Sequence, residues 1–195
     1  LRQLVGYGTD VGRMRDHNED YVSKFSLGLE QIPGTPEVGL YIVADGMGGH
    51  QAGEKASESV IRDVVINRIQ EKMQQLQSVP KLNRATIRLD DILTPGEILR
   101  EAILQANQVL LNARGSASGR DRGTTITAAL VVGDKCVVAN VGDSRTYLMR
   151  GDRLSQITED HSLVARLVAS KSIKPSEVRS HPQRIQIYRT LGDDT

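Results

Sequence analysis

Hydrophobic residues recur with two different periods along the chain, and the change of period separates helical from strand-forming parts. Between residues 51 and 76, apolar residues return at steps of three, four or five with charged residues between them, which predicts an amphipathic helix. From Thr124 the pattern becomes strand-like, in short apolar runs separated by Gly133-Asp134 and Gly151-Asp152, which favour hairpin turns. Strands and helices in separate blocks are typical of an α+β fold with layered packing.

A second helix has a well-defined predicted start. Thr94 suits the N-cap, Pro95 suits the first helical position, and Glu97 completes a capping box. Gly115 suits the end of this helix. Its predicted buried face comprises Leu99, Ala102, Ala106, Val109, Leu110 and Ala113.

Further strands are predicted near the N-terminus. The stretches "LVGYGTDVG" and "DYVSKFSL" flank a polar turn, "RMRDHNED", and a third short strand, "LYIVAD", leads into a glycine-rich loop. Near the other end, the stretch "DHSLVARLVASKSIKPSEVRSHPQR" is predicted to be helical and exposed, as a flap over about residues 160–187. We expect one domain over residues 1–195.

Composition narrows the class of protein. With 195 residues, 38% hydrophobic, 25% charged and a net charge of +1, the chain is typical of a globular domain and gives no sign of nucleic-acid binding. No apolar run approaches the roughly 20 residues of a membrane helix. The single cysteine, Cys136, lies in an apolar run and is expected to be buried, which favours a reducing, cytoplasmic setting.

Three polar clusters follow or precede predicted strands: "RDHNED", "DGMGG" and "GDSR". Each alone is more often a turn than a site. If the strands are neighbours, however, their ends bring Asp20, Asp45 and Asp143 into one acidic pocket. Because close carboxylates repel one another, such a pocket favours hard cations such as Mg²⁺ or Mn²⁺. Gly46 would let a main-chain carbonyl approach the metal closely.

Arg15 is the candidate for binding phosphate beside this pocket, because a guanidinium matches two phosphate oxygens. Arg13 is the competing candidate, and an exposed arginine in a turn is the alternative without function. A zinc site is not supported, since no Cys/His ligand set exists. A nucleotide-binding loop is not supported either, since no Gly-Lys-Ser/Thr motif is present.

Taken in order, the stretches "RDHNED", "VADGMGGHQAGEKAS", "GTTITAAL", "ANVGDSRTYLMRGDRLSQITEDHS" and "YRTLG" resemble the metal-dependent serine/threonine protein phosphatases of the type-2C class, in their compact bacterial form. The resemblance implies an α-β-β-α sandwich of two antiparallel sheets flanked by helices. It implies two or three Mn²⁺ or Mg²⁺ ions in a complete domain, and hydrolysis of phosphoserine or phosphothreonine in proteins by a metal-bridged water.

The resemblance also assigns roles by position. Asp45 matches the aspartate that bridges both metals, Gly46 the glycine whose carbonyl binds one, and Arg15 the phosphate-binding arginine. Asp20 matches an acidic residue acting through bound water, with Glu19 beside it, and Asp143 matches the ligand of a third metal. His50 matches a histidine of the bacterial "DGMGGH" variant, with substrate contact or proton transfer as its role and helix-start packing as the alternative. Thr124 and Thr125 match a supporting strand, and His161 borders the flap.

The chain departs from the family in one respect. The family places two further metal aspartates after the flap, in Ser-Asp-Gly and Asp-Asn segments, and neither is present before Thr195. We therefore expect a domain lacking its C-terminal part, with weakened metal binding. The expected partners are phosphoproteins, including a protein kinase and its targets in bacterial signalling, without nucleic acid or a membrane segment. The alternative is an inactive binding or regulatory module with the same fold.

Overall fold

The computed structural model describes residues 3–13, 16–27, 38–47, 58, 60–78, 94–114 and 123–193. Its largest element is an antiparallel sheet of five strands. Four strands follow one another across it: β1 (Asp20–Leu27), β2 (Val38–Met47), β4 (Ile126–Val132) and β5 (Lys135–Val141). The short β3 (Gly123–Thr124) pairs with the end of β2. A separate two-stranded sheet comprises β6 (Tyr147–Arg150) and β7 (Arg153–Gln156).

Helices cover one face of the large sheet. A π-helical segment, Val60–Ile66, continues into α1 (Asn67–Ser78), and α2 (Pro95–Arg114) packs beside it. Two shorter helices follow the second sheet: α3 (Leu163–Ala169) and a 3-10 helix (Pro175–Ser180). Among the described residues, no helix is long and apolar enough to cross a membrane.

The core lies between the large sheet and the helical layer. Along β2, Leu40, Ile42 and Ala44 are buried against residues such as Ile61 and Leu99. The alternate residues Tyr41, Val43 and Asp45 belong to the opposite face, because strand side chains alternate. Val43 is 42% exposed there, in a cleft of about 680 Å³. The face without helices therefore carries the predicted polar residues.

The predicted start of α2 is confirmed by its hydrogen bonds. The Glu97 N–H donates to the Thr94 hydroxyl at 3.3 Å, and the Thr94 N–H donates to a Glu97 carboxylate oxygen at 2.6 Å. The Thr94 hydroxyl also donates to that carboxylate at 2.9 Å. The two bonds that the carboxylate accepts lower the pKa of Glu97, first the bond from the Thr94 main-chain N–H and then the bond from the Thr94 hydroxyl. The box satisfies donors that a helix start leaves without partners.

Some predicted burial is wrong. Val109 is 41% exposed, because it lies beside the face of α2 that packs on the sheet, whereas Ile98 and Ile103 are buried there. Cys136 is exposed rather than buried, because β5 lies at the edge of the sheet and, among the residues that the structure describes, pairs only with β4. The neighbouring side chains still shield the Cys136 thiol in part, and this partial desolvation raises its pKa.

The helix predicted from residue 51 is described only in part. Residues 51–57 lie outside the described residues, and from Val60 the helix runs to Ser78. A predicted strand over residues 4–12 is wrong: this stretch forms no strand, and glycines at three of its positions weaken strand formation. The α+β class with antiparallel sheets and layered helices is confirmed.

Candidate functional site

The site begins with two aspartates on adjacent strands. Asp20 of β1 lies directly opposite Asp45 of β2 in the antiparallel register. The Gly46 N–H donates to the Glu19 carbonyl at 3.0 Å, which makes these two residues a hydrogen-bonded pair. The two kinds of pair alternate along an antiparallel ladder, so Asp20 and Asp45 form the closer, non-hydrogen-bonded pair. Side chains of such a pair stand on one face of the sheet, about 4.5–5.5 Å apart at Cβ. Two opposed carboxylates destabilise the sheet unless a cation lies between them.

The main chain of Asp45 is held firmly from the other side. Its N–H donates to the Thr125 hydroxyl at 3.0 Å, and its carbonyl accepts from the Thr125 N–H at 2.9 Å. The same carbonyl also accepts from the Thr124 hydroxyl at 3.0 Å. Both threonines are fully buried. They fix the position from which the Asp45 side chain projects.

Gly46 and the short strand β3 close the end of β2. Gly46 pairs with Thr124, and Thr124 in turn exchanges two main-chain hydrogen bonds with Leu191, of 2.8 and 3.3 Å. The "RTLG" element is thereby joined to the strand that supports Asp45. It is also held by α2, because the Asn107 amide accepts from the Gly192 N–H at 2.6 Å and donates to the Asp193 carbonyl at 3.2 Å.

The residues on either side of Asp143 contact Thr125, the residue that holds the main chain of Asp45. The Ser144 and Thr125 hydroxyls share a hydrogen bond of 2.7 Å, which ties the loop after β5 to the residue that holds Asp45. Gly142, on the other side of Asp143, has a φ of +106°, and a Cβ there would lie 2.5 Å from the Thr125 Cγ2. Only glycine fits this contact and this backbone conformation.

His161 fixes Gly142 in place. The Gly142 N–H donates to the His161 Nδ1 at 3.2 Å, and the His161 N–H donates to the Gly142 carbonyl at 2.9 Å. Burial, and then the charge of Arg189, lowers the pKa of His161. A neutral ring that accepts at Nδ1 carries its proton on Nε2.

An ion pair between Arg145 and Asp160 supports the loop that follows β5. Asp160, 8% exposed, accepts from the Arg145 Nε at 2.9 Å and from its Nη2 at 2.5 Å, and the Gln156 amide donates to it at 2.9 Å. The hydrogen bonds to Asp160 raise the pKa of Arg145. This bidentate pair connects the "GDSR" and "TEDHS" stretches.

The predicted site residues are thus brought together only in part. Asp20 and Asp45 are paired, Gly46 is next to them, and Asp143 is linked through Thr125 and Ser144. The part of the chain that the structure describes contains no group of three or more His, Cys, Asp or Glu residues arranged to hold a metal ion. The three-aspartate pocket of Asp20, Asp45 and Asp143 stays a prediction from the sequence. The predicted Arg15 and His50 lie outside the described residues.

Sequence reasoning missed the supporting roles of His161, Arg145 and Asp160. The stretches "GDSR" and "TEDHS" were both recognised, but nothing in either predicts that one pairs with the other. Their contacts join residues 15 to 19 positions apart across the hairpin of β6 and β7.

The donor set determines which metals suit the site. Asp20 and Asp45 offer only carboxylate oxygens, and Gly46 adds a main-chain carbonyl, all of which are hard ligands. Mg²⁺ and Mn²⁺ prefer such oxygens and retain water as further ligands. The residues therefore fit a Mg²⁺ or Mn²⁺ ion held in part by water.

Comparisons with known proteins identify the family. Residues 8–166 match the family described as Protein phosphatase 2C. The chain is 38% identical over 187 residues to the serine/threonine phosphatase stp of Listeria welshimeri, covering 95% of this chain and 66% of that protein. It is 31% identical to the protein phosphatase PhpP of Streptococcus pneumoniae, covering 94% of this chain and 65% of that protein. The chain thus spans about two thirds of the length of these relatives.

Solved structures share the fold. The serine/threonine phosphatase of S. agalactiae superposes with a TM-score of 0.74 and 31% identity, covering 95% of this chain and 67% of that one. The catalytic domain of the phosphatase PstP, solved in complex with two manganese ions, gives a TM-score of 0.59 and 31% identity, covering 93% and 63%. The match to residues 8–166 spans most of the chain, and it begins before Asp20 and extends beyond His161. The chain belongs to the Protein phosphatase 2C family, whose members are metal-dependent.

Proposed function

We propose that the protein hydrolyses phosphoserine and phosphothreonine in proteins, with Mn²⁺ or Mg²⁺ as cofactor. The observation that carries this proposal is the opposed pair of Asp20 and Asp45 at the strand ends. The Asp45 main chain is held by hydrogen bonds of 2.9–3.0 Å from buried threonines, so that its carboxylate is presented from a rigid position. Family membership supports the reaction class.

Each site residue has a distinct task in this proposal. Asp45 would be the ligand shared by two metal ions, Gly46 would contribute its carbonyl, and Asp20 would act through a bound water. Asp143 would hold a third ion. When bound, the ions lower the pKa of water and stabilise negative charge on the transferring phosphoryl group.

The other two predicted site residues act on the substrate. Arg15 binds the phosphate oxygens as a bidentate donor. His50 contacts the substrate or transfers a proton. Neither residue is within the described part of the chain, so both assignments stay predictions from the sequence.

The physiological setting follows from the same proposal. Substrates are phosphoproteins, and a protein kinase together with its targets is the expected partner system. Cytoplasmic location stays a prediction from the sequence.

Manganese-dependent hydrolysis of para-nitrophenyl phosphate tests the proposal. We expect Asp45→Asn to lower kcat by at least about 100-fold, because the charge that holds the metals is lost. Asp152→Asn, at the exposed turn between β6 and β7, is the matched control and should retain the wild-type rate. Hydrolysis that persists in Asp45→Asn would overturn the metal mechanism. Absence of activity in a full-length protein that carries both later aspartates would support the regulatory alternative.

A further inference from the structure

Charge is unevenly distributed along this chain. The segment between Ser162 and Thr190, here called the basic segment, contains six Lys or Arg residues and one acidic residue. The other parts of the chain contain 19 basic and 23 acidic residues, so the overall balance hides a local excess of positive charge. The six basic residues are Arg166, Lys171, Lys174, Arg179, Arg184 and Arg189.

These cations are available to a partner. All six are exposed, and within the described ranges none of them forms an ion pair with a carboxylate. The guanidinium of Arg166 lies over the Tyr188 ring at 4.2 Å. The one acidic residue, Glu177, offsets only one of the six positive charges, and its carboxylate accepts from the Lys174 N–H at 2.6 Å at the start of the 3-10 helix.

The basic segment is anchored at the candidate site. At its start, His161 bonds to both main-chain groups of Gly142, beside Asp143. At its end, Leu191 bonds to Thr124, which supports Asp45. The two ends are themselves joined, because the Leu163 N–H donates to the Gln186 carbonyl at 2.9 Å and Ser162 pairs with Ile187. A ligand bound at Asp45 and Asp143 is therefore next to the two anchored ends of the basic segment.

We propose that the basic segment binds acidic residues that flank the phosphorylated Ser or Thr of a substrate protein. This inference rests on the proposed function and extends it to substrate class. Charge complementarity is the reason: exposed cations without carboxylate partners attract an acidic peptide and raise its local concentration. Ile185, 82% exposed beside Arg184, offers an apolar contact to the same peptide.

A nucleic acid is the less favoured occupant. Single-stranded nucleic acids bind aromatic platforms between basic residues. The segment has one aromatic residue, Tyr188, and its ring already contacts His161 and Arg166.

The test compares phosphothreonine peptides that share one core sequence and differ only in their flanks, which are Glu-rich, Gln-rich or Lys-rich. Binding is measured by fluorescence anisotropy without added divalent metal, so that the readout does not depend on turnover. We expect the Glu-rich peptide to bind about 10-fold more tightly than the Gln-rich peptide at low salt, and the difference to shrink at 0.5 M salt. The Lys-rich peptide should bind most weakly.

The variant Lys174→Gln/Arg179→Gln/Arg184→Gln should reduce the preference for the Glu-rich peptide to about twofold or less. The matched control, Lys135→Gln/Arg150→Gln/Arg153→Gln, removes three exposed cations from β5, β6 and β7 and should retain the preference. Circular dichroism confirms that both variants are folded. Equal affinity for all three peptides in the wild type, or an equal loss in the control, would overturn the proposal. Tighter binding of single-stranded DNA than of the Glu-rich peptide would overturn it too.

Hydrolysis of para-nitrophenyl phosphate distinguishes this inference from the proposed function. Lys174, Arg179 and Arg184 are outside the site that holds the phosphate, so the triple variant should hydrolyse this small substrate like the wild type. Hydrolysis without peptide preference would defeat the charge inference alone. Peptide preference without hydrolysis would defeat the proposed activity and leave the acidic-peptide surface standing.

Discussion

His161 bonds to both main-chain polar groups of Gly142, at 3.2 Å through Nδ1 and at 2.9 Å through its own N–H. Gly142 immediately precedes Asp143; its φ is positive, and the close approach of Thr125 leaves no space for a side chain there. The loop that carries Asp143 is thus fixed between the ring of His161 and the buried Thr125. The arrangement couples the base of the basic segment to the candidate metal site.

Replacing His161 should loosen this loop when the new side chain has no acceptor atom at the position of Nδ1. His161→Ala removes the acceptor and leaves the Gly142 N–H unpaired, at a cost of about 1–3 kcal/mol in the free energy of unfolding. His161→Asn places a side-chain oxygen near the position of Nδ1 and should recover most of that loss. Hydrogen exchange of the Gly142 amide, followed by NMR, measures the bond directly. Equal exchange in the two variants would show that Nδ1 does not hold the loop.

Stability should fall in mild acid because of the same histidine. Burial, and then the positive charge of Arg189, lowers the pKa of His161 below 6.5 in the folded protein, while Glu159 and Asp160 oppose this. The unfolded chain therefore binds the proton first, so the contribution is fully present above about pH 6.5 and is lost as pH falls below it.

Urea unfolding at pH 7.5 and pH 5.5 measures this effect. We expect the wild type to lose more stability between these values than His161→Asn, which has no titrating ring. The difference between the two proteins isolates His161 from the other groups that titrate. An identical loss in both would contradict the lowered pKa.

Thr125→Val should separate metal binding from stability. The substitution removes the hydroxyl that accepts from the Asp45 N–H and bonds to Ser144, so both sides of the site lose a fixed contact. We expect a loss of about 1–3 kcal/mol in unfolding free energy, together with weaker Mn²⁺ binding by calorimetry.

The control for this prediction is Thr127→Val, two residues along β4. Thr127 is also buried and shares a 2.7 Å hydrogen bond with Thr146, so a similar loss of stability is expected. Its hydroxyl bonds to neither Asp45 nor Ser144, and Mn²⁺ affinity should be unchanged. Equal metal affinity in both variants would show that Thr125 acts on stability alone.

The sequence predicted local features well where short-range patterns determine them. The capping box of Thr94 and Glu97, the hairpin turns at Gly133 and Gly151, and the strand Asp20–Leu27 were all recognisable from neighbouring residues. The juxtaposition of Asp20 and Asp45 was also expected, since both lie at ends of predicted strands.

Long-range relationships could not be predicted in the same way. The hydrogen bond of Asp45 to Thr125 joins residues 80 positions apart and depends on the register between two strands, which no local pattern determines. Cys136 was misplaced for a related reason. An apolar run predicts a strand, but whether that strand is central or at an edge depends on which strands pair with it.

The pair of Arg145 and Asp160 provides the last prediction. Asp160→Asn leaves the guanidinium without its charged partner, and we expect a loss of about 2 kcal/mol in unfolding free energy. This is below the ~3–5 kcal/mol of a fully buried pair, because the Arg145 side chain is 47% exposed. Arg145→Lys keeps the charge but loses the bidentate geometry, so it should also destabilise the protein, whereas Arg150→Lys at an exposed position should not. Denaturant unfolding of the three variants measures these free energies of unfolding. If Arg145→Lys is as stable as Arg150→Lys, the charge of residue 145 alone, and not its bidentate hydrogen bonds to Asp160, holds the two stretches together.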